Sequence, residues 1–327
     1  MKDYFIVAGD GVGKSYVEQF AVRDHLIKGI TADEEYKKNP DLKKEDIQAL
    51  RQWMLTQPHL PQDVPEETLI LIHHSCYFDL EASKSCIEVY FTTRTNTPEF
   101  FSKRDINRPE LLAQSKVVEF GAIAPKTPQG YQVIFHRLQQ FEPSKYVFQD
   151  SVRLLAMSID ACLHVEGTVP GYIFLFDMAG VRLGHVLRLS VGQLSKFFLY
   201  LQEGLPVRLK GIHILNTRPL IDKIMFVVKP FMKKDLLSLV HFHPEGDISS
   251  VYEFVPPKCI PGGDLKGDLP DSKTLHNEYV EWMKNLVEFF LQDEKYQVDE
   301  SKRVKNKKSA AKQLEKTQVS LQKLELD

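Results

Sequence analysis

The sequence predicts an α/β protein in which a small all-helical domain precedes a larger domain with a largely parallel β-sheet. Residues 31–95 carry apolar residues at helical spacing and show none of the alternation typical of strands. After about Pro109, strand-like and helix-like segments alternate, which favours parallel strands joined by helices. The segment 172–176 is apolar without a break, as expected for a strand that is covered on both faces.

The composition is that of an ordinary globular protein. The 327 residues are 43% hydrophobic and 26% charged, and the net charge of −2 provides no basic field for nucleic acid. No stretch reaches the roughly 18 uninterrupted apolar residues of a membrane span, and the N-terminus lacks a signal-peptide pattern. The four cysteines have no CxxC spacing, so we expect reduced thiols in a cytoplasmic protein rather than a disulfide framework or a zinc site.

Helix boundaries in the helical domain can be predicted from a capping box and from prolines. Thr31 lies three residues before Glu34, which predicts a capping box. Ile47, Leu50 and Met54 recur at helical spacing, and the prolines at 58 and 61 end that helix. Two further helices are predicted, at 68–74 and from about residue 79 to residue 95. The domain is expected to end near residue 98.

The second domain alternates between the two kinds of segment. Strands are predicted at 131–138, 171–177, 207–216 and 237–243, and helices at 148–165, 190–203 and 219–234. A last helix is predicted at 275–291, with Trp282 and Leu286 on its apolar side. Beyond Tyr296 a run of lysines and arginines predicts a solvated tail, and a membrane-binding amphipathic helix is the alternative.

The segment AGDGVGKS at 8–15 is similar to a phosphate-binding loop. Its glycines allow close backbone approach, Lys14 could bind phosphates, and Ser15 and Asp177 could bind magnesium. However, the strict pattern requires glycine in place of Ala8. The short apolar run 4–7 is also separated by an all-helical domain from any strand that it could join. We therefore favour an N-terminal leader at 1–30, with a nucleotide-dependent enzyme as the alternative.

Other candidate chemistry is sparse. His241 and His243 lie on one face of a predicted strand, a spacing that can bind metal. The chain offers only Glu245 as a weak third ligand, so a hydrogen-bonding pair is favoured. No nucleophile motif accompanies Asp177. We therefore expect no catalytic site, no metal site and no cofactor.

The most informative segment follows Asn216. Ile221, Met225, Val228 and Met232 recur at intervals of four, three and four residues and form one helical stripe. Further apolar residues make this helix apolar nearly all round: Ile224, Phe226, Val227 and Phe231. A helix of this kind next to lysines favours a lid over a lipid cavity that opens at a membrane surface. Methionine adapts to varied apolar shapes, which is typical of a ligand contact.

Taken together, the segments of the chain resemble the CRAL-TRIO lipid-transfer family. The resemblance is carried by CYFDL at 76–80, GYIFLFDMAG at 171–180, LPVRLKGIHILN at 205–216, VKPF at 228–231 and HFH at 241–243. It covers about residues 45–290 and rests on the order and spacing of these segments. It implies a helical domain at 31–105, an α/β/α lipid-binding cage with a mostly parallel five-stranded sheet and a gate helix at 106–292, and a charged tail at 293–327.

The resemblance also implies a function. It indicates non-enzymatic binding and intermembrane transfer of a single hydrophobic ligand, such as a tocopherol, retinoid, carotenoid or phospholipid, by a monomer that contacts membranes transiently. Matched position by position, it implies a cavity lined by Val152, Leu155, Ile159, Tyr172, Phe176, Val181, Leu189, Tyr200, Leu201, Leu205, Val207, Leu209 and Ile212. The gate at 219–232 would face inward with Ile221, Met225, Val228 and Met232, the residues of the stripe.

Some members of the family bind phosphoinositide head groups through a basic cluster. Four residues are candidates for this role here: Arg208, Lys210, Lys233 and Lys234. The chain departs from the cluster at Asp235 and Leu239, and the sequence HSC at 74–76 replaces an arginine-rich stretch. The family's ending after the cage is also altered, to IPGG at 260–263. These departures weigh against phosphoinositide exchange.

Overall fold

The computed structural model describes residues 29–304, and its N-terminal part is helical as predicted. The helices are α1 Ala32–Lys38, α2 Lys44–Leu55, α3 Glu66–Ser75, α4 Leu80–Asn96, α5 Pro98–Phe101 and α6 Pro109–Gln114. The predicted capping box is confirmed, because the Thr31 hydroxyl accepts from Glu34 N while the Glu34 carboxylate accepts from Thr31 N. Ile47, Leu50 and Met54 are buried, so the helical spacing marks the face of α2 that enters the core.

A five-stranded sheet forms the centre of the second part. Its strands are β1 Val118–Ile123, β2 Gln132–Leu138, β3 Tyr172–Asp177, β4 Leu209–Thr217 and β5 Val240–Pro244, and they lie in the order in which they occur in the chain. β1 is antiparallel to β2, and the remaining pairs are parallel. The mostly parallel sheet is thus confirmed. The alternation criterion misses β1, because all six of its residues are buried.

The helices that connect the parallel strands create a covered face of the sheet. They are α7 Phe148–Glu166, α8 Leu183–Val186, α9 Val191–Leu199, α10 Leu220–Val228 and α11 Lys234–Ser238. Crossover connections are right-handed, so four parallel strands in sequential order place every connection on the same face. The space between that face and its helices is where an internal cavity can form.

Two predicted boundaries in this part were wrong. The helix predicted at 219–234 ends as an α-helix at Val228 and continues as the 3-10 turn Lys229–Phe231. Pro230 explains this, since it has no backbone N–H to continue the α-helical ladder. The strand predicted from 237 begins at Val240, because α11 occupies the preceding residues.

The remaining elements lie outside the five-stranded sheet and its connecting helices. They are β6 Pro261–Gly262, β7 Leu269–Asp271, α12 Ser272–Met283 and α13 Val287–Asp293, with 3-10 turns at Pro143–Lys145, Ile248–Val251, Pro257–Cys259, Gly263–Leu265, Lys284–Leu286 and Glu300–Lys302. The helix predicted at 275–291 is therefore two helices with a 3-10 turn between them. Trp282 and Leu286 are buried, as their apolar pattern indicates.

A buried ion network holds the helical part against the cage. The Asp160 carboxylate of α7 accepts from Arg94 of α4 at 2.8 Å and from Arg104 at 2.6 Å. Both arginines also donate to Asp293 of α13, each at 2.5 Å. Arg94 donates in addition to the hydroxyl of Tyr200 at 3.0 Å. Each charge is compensated by an opposite charge, which is the condition under which buried ions are tolerated.

Removing one charge from this network is expected to destabilise the fold. Asp160→Asn should lower the free energy of unfolding by about 2 kcal/mol, because two charge-assisted hydrogen bonds lose their anionic acceptor. Urea denaturation measures the effect. The control is Glu245→Gln, which breaks the exposed ion pair between Arg218 and Glu245 and should leave the urea midpoint unchanged. Equal midpoints for both variants would show that the network contributes nothing to stability.

Candidate functional site

The floor of a cavity is formed by one row of side chains across the sheet. His136 of β2, Phe176 of β3 and Ile214 of β4 pair in register, so their side chains leave the sheet on the same face. All three line a cavity of about 260 Å³. The row lies near the carboxyl ends of the parallel strands. This is the edge of an open α/β sheet at which ligands usually bind.

Helices on the covered face form the roof of the cavity. α7 contributes Val152 and Leu155, α8 contributes Val186, α9 contributes Phe197 and α10 contributes Ile224. A second void of about 20 Å³ continues along α7 and shares Val152, Leu155 and Phe197 with the cavity. The walls are mostly apolar, so a ligand that fills them would gain about 25 cal/mol for each Å² of apolar surface buried.

The predicted cavity residues are distributed over the two spaces and their surroundings. Those that line the cavity are Val152, Leu155, Phe176, Val181 and Leu189. Those that line the smaller void are Ile159, Tyr200, Leu201 and Leu205, again with Val152 and Leu155. The others lie elsewhere: Tyr172 and Ile212 are buried in the core, Leu209 is half-buried, and Val207 lines a separate surface pocket. Tyr172 and Leu209 begin their strands, at the end of the sheet opposite the cavity.

None of the four predicted gate residues lines the cavity or the smaller void. Ile221, Met225, Val228 and Met232 are all half-buried, and α10 contributes Ile224 to the wall. No residue of α10 is fully buried. Phe226 on its outer side is 84% exposed. Segments with few buried apolar contacts generally open locally at a lower free-energy cost than the core.

The carboxyl end of α10 is fixed to the π-helical turn Tyr200–Gly204. Gln202 in this turn donates from Nε2 to the carbonyl of Phe231 at 3.0 Å and accepts from Lys233 N at 2.5 Å. Lys233 Nζ also lies 2.7 Å from Glu203 Oε1. At the other end, Arg218 forms an exposed ion pair with Glu245. The helix is thus held at both ends, because Thr217, three residues before Leu220, belongs to β4 and its carbonyl accepts from Glu245 N at 3.1 Å.

Polar residues also line the cavity, and sequence reasoning missed them. They are His136, Arg137, Tyr146, Ser151, Asp177 and His185. His136 is two residues from both Ile134 and Leu138 in β2, so the three side chains lie on the same face of the strand. Once the pairing of β2 with Phe176 is known, this alternation assigns His136 to the cavity face of the sheet. His185 lies in the single-turn helix α8, which carries no periodic signal.

The charged residues of the wall are paired with each other and with their neighbours. Arg137 Nε lies 3.1 Å from Asp177 Oδ2, and the Arg137 guanidinium donates to both carboxylate oxygens of Asp264 at 2.8 and 2.6 Å. Burial opposes the positive charge, but these partners and Glu119 outweigh it and raise the pKa of Arg137. The wall therefore presents a compensated ion cluster.

The other titratable residues of the wall are neutral near pH 7. Burial lowers the pKa of His136 to about 4 and also lowers the pKa of His185. Burial raises the pKa of Tyr146 to about 12. A ligand in the cavity would accordingly meet two uncharged imidazoles and a phenol rather than an excess of either charge.

The phosphate-loop alternative gains no support from the structure. The segment 8–15 lies outside the described residues. Asp177, the magnesium candidate, is buried and bonded to protein groups, since its Oδ1 accepts from Asn216 Nδ2 at 2.7 Å and from Ala179 N at 2.9 Å. Its remaining oxygen faces Arg137. Both oxygens of this carboxylate thus face protein groups, although Oδ2 makes an ion pair and no hydrogen bond with the described residues.

The histidines of β5 form a hydrogen-bonded cluster. His213 Nδ1 lies 2.9 Å from His243 Nε2, and His243 Nδ1 lies 2.7 Å from Ser250 Oγ. His241 stacks on His213, and Phe254 covers both rings. Between residues 29 and 304 there is no group of three or more His, Cys, Asp or Glu that could hold a metal ion. His243 thus forms a hydrogen-bonded pair with His213 of β4, whereas His241 contributes through ring stacking.

The four basic candidates separate into two pairs. The Arg208 guanidinium lies 4.3 Å from the ring centroid of Tyr77 and donates to the His74 carbonyl at 2.7 Å. Lys210 Nζ donates to the Tyr77 hydroxyl at 3.0 Å. Lys233 pairs with Glu203, and Lys234 is exposed. No helix in the described part of the chain is long and apolar enough to cross a bilayer.

Comparison with known proteins identifies two domains. Residues 39–111 match the model of the Pinta-like UBA domain, and residues 120–263 match the model of the CRAL/TRIO domain. Human alpha-tocopherol transfer protein-like is 26% identical over 243 residues, which are 73% of this chain and 70% of that protein. Human clavesin-2 is 23% identical over 274 residues, which are 81% of this chain and 80% of clavesin-2.

One solved structure, titled "Crystal structure of Sfh5", aligns with 77% of this chain and all of that chain, with a TM-score of 0.46 and 11% identity. The matched CRAL/TRIO segment begins in β1, contains the whole parallel sheet and ends at Gly263, so it includes both the floor and the roof of the cavity. The protein therefore contains a CRAL/TRIO domain at residues 120–263, preceded by a Pinta-like UBA domain.

Proposed function

We propose that this protein binds a single hydrophobic ligand in the cavity between the sheet and α10 and transfers it between membranes, without catalysing a reaction. The observation that carries the proposal is the position of Ile224. It closes one side of a largely apolar cavity, and it belongs to a helix that has no fully buried residue. Apolar burial would supply affinity, and the compensated polar groups would set the orientation of the ligand.

Entry and release would follow from movement of α10. Gln202 holds the chain after the gate through Phe231 and Lys233, and Thr217 of β4 holds the chain before it. The middle of α10 would therefore move outward, because none of its residues is fully buried. This motion would open the cavity beside Ile224 without disturbing the sheet.

The exposed residues around the cavity would contact the membrane. Leu183 and Leu187 at α8 and Phe226 on α10 are large apolar side chains that face solvent, and α8 and α10 both border the cavity. The exposed Lys223 and Lys229 flank Phe226 and would attract an acidic bilayer surface. We propose that a monomer docks through this face. Arg208 and Lys210, the candidates for contacting an acidic head group, flank Leu209 at the opposite end of the sheet and would form a separate site.

One substitution in this face should slow transfer without affecting affinity. Leu187 is 77% exposed, and Leu187→Ser should reduce the rate of lipid transfer between vesicles by about tenfold, because burial of one leucine contributes roughly 1.5 kcal/mol or more. The matched control is Leu55→Ser in α2, where the leucine is 53% exposed but far from the cavity. Equal transfer rates for the two variants would rule out docking through α8.

The proposal as a whole is tested by the ligand that the protein carries. Full-length protein is purified from cells, extracted with organic solvent and analysed by mass spectrometry for lipids present at about one molecule per chain. Delipidated protein is then offered labelled lipid in donor vesicles, and movement to acceptor vesicles is followed. Recovery of no lipid together with no transfer would contradict the proposal.

A further inference from the structure

We propose that His136 and His185 recognise an uncharged oxygen of the ligand, a hydroxyl or a carbonyl. The ligand class is then a neutral lipid with one such group, and not a fatty acid or a phospholipid. The inference rests on the proposed carrier function and adds the head-group chemistry of the same cavity. It depends on His185 Nε2 and on the ring of His136, which have no hydrogen-bond partner among residues 29–304.

His185 offers a donor with a defined position. Its Nδ1 accepts from the backbone N–H of Arg182 at 3.0 Å, so the neutral ring carries its proton on Nε2. The residue is only 5% exposed, and Nε2 has no hydrogen-bond partner among residues 29–304. The ring contacts Tyr146 edge-on, with 5.7 Å between centroids. Buried donors are normally paired, so an acceptor atom on a ligand would complete this site.

His136 offers the complementary group. It lies in the floor of the cavity beside Phe176, with 6.1 Å between the ring centroids, and forms no hydrogen bond with any described residue. A neutral imidazole has one donor and one acceptor nitrogen. His185 Nε2 can therefore donate a hydrogen bond to a ligand oxygen, and the acceptor nitrogen of His136 can accept one from a ligand hydroxyl. An alcohol can form both bonds.

The charges of the wall argue against an anionic head group. Arg137 is the cation of the cavity wall, and Asp177 and Asp264 already occupy its guanidinium. Ser151 Oγ is engaged with Gln114 Nε2 at 2.8 Å. A carboxylate or phosphate in the cavity would thus be buried beside neutral rings and a compensated ion cluster, without a free counter-charge in this wall. A neutral oxygen meets no such penalty.

The test uses three C15 probes that share one isoprenoid skeleton and differ in the head group. Farnesol, farnesoic acid and farnesene are partitioned at pH 7.4 between phosphatidylcholine vesicles and the delipidated full-length protein. We expect farnesol to bind at least about tenfold more tightly than the acid or the hydrocarbon. Equal binding of all three would overturn the head-group assignment and leave the carrier proposal intact. Binding of none would overturn both.

Variants of His185 separate recognition from folding. Asparagine places an acceptor near the position of Nδ1 but has no group at Nε2, whereas glutamine keeps a donor near Nε2. His185→Asn should weaken farnesol binding by about tenfold and leave farnesene binding unchanged, and His185→Gln should stay within about threefold of the native protein. His136→Leu is the second variant, with the same selective loss expected. Parallel losses for farnesol and farnesene would show a purely structural role and contradict the proposal.

Discussion

Replacing Ile224 with aspartate is expected to lower the equilibrium affinity for a hydrophobic ligand by roughly 100-fold or more. Ile224 lines the cavity together with Val186 and Phe197, and the Arg137 guanidinium of this wall is already paired with Asp177 and Asp264. The new carboxylate would therefore face mostly apolar groups without a free counter-charge. Binding of a ligand would then bury an unpaired charge or hold the gate open. The affinity is measured by titration of delipidated protein with a fluorescent lipid.

The same helix provides the control. Phe226 lies two residues further along α10 and is 84% exposed, so Phe226→Asp should keep the affinity within about threefold of the native value. Met225→Asp tests the prediction that the stripe of Ile221, Met225, Val228 and Met232 faces the cavity. Met225 is half-buried and follows Ile224 in the chain. A larger loss for Met225→Asp than for Ile224→Asp would assign the inward face to the predicted stripe. Equal losses for Ile224→Asp and Phe226→Asp would contradict a gate in either orientation.

Features that depend on neighbours in the chain could be predicted from the sequence. The capping box at Thr31 needs only two residues three positions apart, and the buried face of α2 needs only the spacing of Ile47, Leu50 and Met54. The parallel sheet follows from the alternation of segments. The apolar helix α10 was located for the same reason, although Pro230 ends it earlier than its apolar pattern implies.

Features that depend on pairing between distant segments could not be predicted in the same way. The cavity floor exists because His136, Phe176 and Ile214 fall in one register row across three strands, and no local pattern encodes that register. The same holds for the ion network, in which Asp160 meets Arg94, 66 residues away in the chain. The polar wall was missed because its members are scattered over β2, β3, α7, α8 and the loop before α7.

Acidification from pH 7 to pH 5 is expected to lower the free energy of unfolding by about 6 kcal/mol. Burial lowers the pKa of seven histidines in the described chain, and three of them have the largest shifts: the pKa falls to about 3 for His74, to about 4 for His136 and to about 3 for His213. In the unfolded chain each ring has a pKa of about 6.5, so it binds a proton there that the folded protein does not bind. The stabilisation is therefore complete above pH 6.5 and is lost as the pH falls. At pH 5 each histidine accounts for about 2 kcal/mol.

The three histidines lie in α3, β2 and β4, so their contributions should be separable by substitution. Urea denaturation between pH 6.5 and pH 5 should give a slope of at least about 3 kcal/mol per pH unit, because each of the three rings takes up on average about 0.8 proton on unfolding. His213→Asn and His74→Asn should each reduce that slope by about 1 kcal/mol per pH unit, whatever their effect on stability at pH 7. Stability that is constant from pH 7 to pH 5 would contradict the burial of neutral imidazoles. Unchanged slopes in both variants would assign the proton uptake to other groups.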